Sequence, residues 1–93
     1  MRLDLFLKAS RLVPRRAVAQ ALCDAGQVAV GGAQAKSSRA VRAGDEIELR
    51  RGQRVLLIRV LALPATRQVA RSEASGLYEI LSDTTAPEEL FDS

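Results

Sequence analysis

The chain predicts an α+β fold in which two short N-terminal helices pack on a small, mostly antiparallel sheet, followed by a short C-terminal helix and strand. Three observations carry this. Apolar residues recur at helical spacing up to about residue 25; from residue 27 they alternate or run together as β-branched stretches; and glycine-containing turns separate those stretches. At 93 residues the chain forms one domain. A chain of this size buries roughly 60% of its unfolded surface and cannot support two cores.

Residues 2–10 place Leu3, Phe6, Leu7 and Ser10 on one helical face, with Arg2, Asp4, Lys8 and then Arg11 off it; Asp4 and Lys8 form an i, i+4 pair. Leu12 and Val13 make a short connector. Pro14 is expected to open a second helix, because a first helical residue needs no N–H donor, and Gly26 is expected to close it at C′. Val18, Ala21, Leu22 and Ala25 stand at i, i+3, i+4, i+7 and predict its buried face. Arg11, Arg15 and Arg16 then crowd the positive end of a helix dipole, a cost that an anion outside the chain would relieve.

Residues 27–30 and 33–36 flank Gly31-Gly32 and predict a hairpin whose turn needs positive φ. A polar, basic loop covers 37–43. Gly44-Asp45 turns the chain into a strand over 46–50 with Ile47 and Leu49 inward, and Gly52 turns it into a nearly continuous apolar central strand over 54–61. Pro64 ends that strand. Thr66 is expected to cap a helix over 67–75 ended by Gly76, and residues 77–81 form a last strand. The domain is thus placed at 1–81, and 82–93, acidic and without periodicity, is expected to be a mobile tail.

Composition narrows the function. The aromatics are Phe6, Tyr78 and Phe91, so the core is aliphatic and a stacking platform for splayed bases is missing. No apolar run approaches a membrane span of about 18 residues, and Met1-Arg2 leads into an amphipathic segment rather than a signal peptide, so a cytoplasmic location and no membrane partner are expected. Cys23 is alone and the chain has no histidine. No disulfide, zinc site, cofactor or acid/base catalysis is therefore expected, and the chain is read as a non-enzyme; a monomer is expected.

Charge is distributed unevenly. Residues 1–72 hold all 14 Lys and Arg against five acids, whereas beyond them stand Glu73, Glu79, Asp83, Glu88, Glu89 and Asp92 with no base. A basic body of this kind suits phosphate binding. Arg2, Lys8, Arg11, Arg15 and Arg16 cluster where the two helices meet, and Asp4 is the one acid among them. If both apolar faces lie on the sheet, these cations share one outer surface. Asp4 is read either as a charge favourable to the helix dipole or as a carboxylate that orients Arg2 or an arginine of the second helix. Lys36, Ser37, Ser38, Arg39 and Arg42 form a second basic stretch whose groups suit phosphates but also serve as turn formers. Arg50, Arg51 and Arg54 read as charged strand ends. A DNA-binding helix-turn-helix ranks lower, because Gln20 and Asp24 are the only long or polar groups after Arg16 on the second helix. A protein-only adaptor is the remaining rival.

Arg2-Leu3-Asp4 with Phe6-Leu7, Ser10-Arg11, Arg15-Arg16-Ala17, Ala21, Gly26, Val28, Val30, Gly32 and Gly44-Asp45-Glu46-Ile47 resemble the RNA-binding domain first described in small-subunit ribosomal protein S-four. The resemblance implies an αL-type RNA-binding fold with a core motif over about 1–62. Leu5, Pro14 and Gly31-Gly32 depart from the usual pattern. The length and the segment through Glu73, Leu77-Tyr78 and Ile80-Leu81 look like the small stand-alone members, the bacterial ribosome-quality-control factors, more than the longer ribosome-associated heat-shock class with its basic C-terminal extension.

By that resemblance, the partners are large-subunit ribosomal RNA and a stalled peptidyl-tRNA, with a second protein that recruits alanyl-tRNA for template-free alanine tailing; the heat-shock type would instead recycle stalled large subunits. It also implies that Arg2, Asp4 and Arg16 lie on the RNA-facing surface. Lys8, Arg11, Arg15, Lys36 and Ser37 complete the candidate set. Arginines placed across phosphates read the shape of duplex RNA, whose deep major groove side chains cannot enter. Arg16→Glu is expected to abolish binding and spare the fold.

Overall fold

Leu3, Phe6 and Leu7, inaccessible to solvent, anchor the first helix, α1 (Leu3–Ala9), to the core in a computed structural model that describes residues 1–65 and 69–85. The elements that follow are α2 (Arg16–Asp24), β1 (Val28–Val30), β2 (Ala33–Gln34), β3 (Glu46–Arg51), β4 (Arg54–Val60), α3 (Arg71–Ala74), a 3₁₀ turn (Ser75–Leu77) and β5 (Tyr78–Thr85). The sheet has the order β2-β1-β3-β4-β5, and every pairing is antiparallel. Val28, Val30, Ile47, Leu49, Leu56, Ile58 and Val60 point from it into one aliphatic core shared with α1 and α2.

The predicted α1, β1, β3 and β4 are present within one residue at most ends. Gly31 and Gly32 both take positive φ (61° and 86°), as the two-residue hairpin turn requires. β2 stops at Gln34 rather than at 36, because Ala35 is drawn into the core and the chain then leaves the sheet. β4 alternates buried and half-buried side chains instead of being buried on both faces, since helices cover only one side of the sheet.

α2 differs from expectation in two ways. Its first residue is Arg16, not Pro14; Val13 is fully buried and its N–H donates to Leu7 O at 3.1 Å, which holds the entering chain so that Arg15 is still extended (φ −141°, ψ 149°). Its inward stripe is also rotated. Arg16, Ala19, Gln20 and Cys23 stand at i, i+3, i+4, i+7 toward α1, with Val18 and Leu22 on the flank and Ala21 and Ala25 exposed. At the other end Gly26 (φ 74°) closes the helix as expected: its N–H donates to Cys23 O and that of Gln27 to Leu22 O, the paired bonds of a Schellman motif.

The C-terminal segment also departs from the prediction. The helix expected over 67–75 is a single turn at Arg71–Ala74 that runs into the 3₁₀ turn, with Ala70 extended before it; the Thr66 cap lies outside the described residues. The last strand continues through residues 82–85, which were expected to begin a mobile tail. These four residues pair with β4, Ser82 opposite Leu57 and Thr85 opposite Arg54, after a bulge at Leu57/Ile58. The remainder of the expected tail, 86–93, lies outside the described residues.

Candidate nucleic-acid interface

The N-terminus of α1 leaves backbone N–H groups that need acceptors. Leu3 N–H donates to Arg39 O (2.8 Å) and Asp4 N–H to Ser37 O (3.1 Å), while Val41 N–H donates to Met1 O (2.8 Å) and Arg2 forms a bridge with Ala40. The loop that makes these bonds is pinned at both ends by the buried Ala35 and Val41. The two basic stretches, about 20 residues apart in sequence, are therefore stitched side by side, with Lys36 and Arg39 exposed next to the start of α1.

Asp4 lies at the centre of this junction and is completely buried. Arg2 donates to it from Nε and Nη2 at 3.2 Å each, Arg16 Nε to Oδ2 at 3.1 Å, Gln20 Nε2 to Oδ2 at 2.9 Å, and Leu5 N–H to Oδ1 at 2.8 Å. Burial by itself would raise the carboxyl pKa; the hydrogen bonds from Gln20, Arg16 and Leu5 N–H, with the Arg16 charge, outweigh it and hold the pKa below its ordinary value. Asp4 thus stays ionised. Of its two sequence readings the second is realised, because it orients one arginine from each side. It also supplies, from within the chain, the negative charge that the start of α2 was expected to seek outside.

Both guanidinium groups remain accessible, the side chains of Arg2 and Arg16 being 43% and 39% exposed. A buried anion behind two half-exposed guanidiniums fixes their positions without hiding them, which is the preorganisation a phosphate-binding surface requires. It also corrects the expectation that Arg16→Glu would spare the fold. That carboxylate would face buried Asp4.

The remaining predicted residues are distributed as follows. Arg15 stands at the N-cap position of α2 with its side chain exposed and making no cap hydrogen bond, and Ser37 contributes its carbonyl to α1. Lys8 and Arg11 do not join the Asp4 junction; they stand at the opposite end of α1, lining a cleft with Val69, Arg71 and Tyr78. Gln20 and Arg71 were missed. Gln20 could have been found as the i+4 neighbour of Arg16, which any partner of Arg16 would also reach. Arg50 and Arg54 are held by Glu48 and Asp83, in keeping with their reading as strand-end charges, and Arg59 of β4 lies between Glu46 and Glu79. Among the described residues no cluster could hold a metal ion, and no helix is long and apolar enough to cross a membrane.

Residues 1–47 match the S4 domain family. The chain is 41% identical over 88 residues to an RQC P-site tRNA stabilizing factor of Streptococcus pneumoniae, covering 95% of this chain and 98% of that one. It is 42% identical over 83 residues to the factor of the same name from Bacillus subtilis, covering 89% and 94%. The structure of heat shock protein 15 from Vibrio cholerae superposes with a TM-score of 0.79 at 32% identity, covering 88% of this chain and 82% of that one. With the Asp4 junction lying inside the matched region, the chain belongs to the S4 domain family, among the RQC P-site tRNA stabilizing factors.

Proposed function

We propose that this protein is a non-catalytic factor that binds ribosomal RNA and tRNA on large ribosomal subunits carrying a stalled peptidyl-tRNA, and supports alanine tailing of the blocked chain with a partner that recruits alanyl-tRNA. It acts in the cytoplasm as a monomer. The observation that carries this reading is the pair of half-exposed arginines, Arg2 and Arg16, held on the buried carboxylate of Asp4. Arg15, Lys36 and Ser37 border that pair and extend it along the RNA backbone, while the names of the relatives at 41% and 42% identity supply the ribosomal context. A role in recycling stalled subunits is the second reading, favoured by the likeness to heat shock protein 15 at the lower identity of 32%.

The test is co-sedimentation with large subunits isolated from translation-stressed cells. Arg16→Ala removes one guanidinium and leaves Asp4 its bonds from Arg2, Gln20 and Leu5 N–H, so a folded protein with at least tenfold weaker binding is expected. Binding of the parent protein should fall steeply with salt, as phosphate contacts release counterions. Unaltered co-sedimentation of folded Arg16→Ala would sink the proposal. Copurification of peptidyl-tRNA and of the tailing partner separates tailing from recycling.

A further inference from the structure

Arg11 takes φ 61°, the one described residue other than glycine with positive φ. A left-handed turn position favours glycine or asparagine, so an arginine retained there points to a use for its side chain. That side chain reaches across to the C-terminal segment, where Nη2 donates to Val69 O at 3.1 Å, and most of its five donors remain for a ligand. The contact frames a cleft of about 840 Å³ between the α1–α2 corner and α3. Lys8, Arg11 and Arg71 bring three cations to its wall, Tyr78 and Ser75 bring hydroxyls, and no carboxylate lines it among the described residues. None of the three cations has an acidic partner among the described ion pairs.

A concave site lined by cations and hydroxyls suits a phosphate group. It is also separate from the Asp4 junction. Lys8 lies in the last turn of α1 and Arg11 just past it, and the seven residues of that helix span roughly 10 Å. We propose that this cleft is a second phosphate site, in which Lys8, Arg11 and Arg71 hold a backbone phosphate of an RNA segment other than the one at Arg2 and Arg16. The inference rests on the RNA-binding function above and extends it: the domain clamps two RNA segments, one at each end of α1.

Arg11→Gly tests it directly, because it removes the guanidinium and at the same time relieves the left-handed backbone. The variant is expected to melt at or above the temperature of the parent protein, yet to bind large subunits about tenfold more weakly, with the slope of log affinity against log salt reduced by about one. Arg71→Ala, on a separate element and exposed, should do the same and decides the matter should Arg11→Gly fail to fold. Parental affinity and salt slope in a folded variant would overturn the second site while Arg16→Ala still lost binding. Unchanged binding by Arg16→Ala would instead overturn the RNA-binding reading, and this inference with it. A photo-crosslinking amino acid at Ser75 separates the ligand classes. A nuclease-sensitive adduct is expected, and a nuclease-resistant adduct to an acidic protein would overturn the assignment.

Discussion

Asp4 is buried and ionised because Arg2, Arg16, Gln20 and Leu5 N–H together donate to both of its oxygens. Asp4→Asn keeps the shape, removes the charge and turns one oxygen into a donor facing donors, a change expected to cost about 1–3 kcal/mol. The folded-state pKa lies below the ordinary carboxylate value of 3.8, so the stabilisation is complete above that value and is lost as pH falls through the folded-state pKa. Urea denaturation followed from pH 7 to pH 2.5 should therefore show the parent protein and Asp4→Asn converging in acid; a constant gap across that range would refute the role given to the charge. The sequence made this carboxylate visible, since it is the one acid among the N-terminal cations. The hydrophobic period of α2 did not point to Gln20, because an amide adds nothing to that period, and the signal lay instead in the i+4 spacing from Arg16.

At the scale of elements, α2 shows where such a period misleads. Val18, Ala21, Leu22 and Ala25 form the more apolar stripe, yet the helix turns the mixed stripe of Arg16, Ala19, Gln20 and Cys23 toward α1. Bonding of Arg16 and Gln20 to a buried carboxylate offsets the smaller apolar area. Burial also raises the pKa of Cys23, with help from Asp4 and Asp24, so its thiol stays protonated within the packed stripe. Two alanines on one helix separate the alternatives. Ala21→Lys on the exposed side should change stability by less than about 0.5 kcal/mol, whereas Ala19→Leu on the buried side should destabilise by about 1–3 kcal/mol through overpacking. Thermal melts of the two variants check this, and a large loss in Ala21→Lys would restore the stripe that hydrophobicity alone selects. The strands were easier to place, because alternation in β3 and the paired glycines before β2 are local signals that tertiary packing did not override.

Across the whole molecule, the charge asymmetry in the sequence becomes a division of labour. Glu79 and Asp83 of β5 pair with Arg59 and Arg54 of β4, so these acids neutralise the sheet, while no described ion pair joins them to a cation of α1, α2 or the loop. The asymmetry was legible; its spatial consequence was not. β5 is exposed along nearly its whole length, so it lacks the apolar alternation by which a strand is recognised and is held by backbone pairing and ion pairs. Reversing Glu79 and Asp83 to lysine should release two arginines into a larger cationic surface. Filter binding to an unrelated duplex RNA should then rise and become more salt-sensitive, with binding to large subunits through α1 and α2 retained. No gain in nonspecific binding would show that the pairing is incidental to selectivity.

The bonds from Leu3 and Asp4 to the loop at Ser37 and Arg39 also close a long stretch of chain. They join positions roughly 35 residues apart in the chain, a closure that costs about 3 kcal/mol in entropy beyond the constant term. Nothing within the first two helices can meet that cost alone. Arg2 and Arg16 are placed by Asp4 within the two helices, whereas Lys36 and Arg39 come beside them only through this closure, so an excised helical pair carries part of the surface. The basic surface is therefore complete only where the chain closes on its own N-terminus.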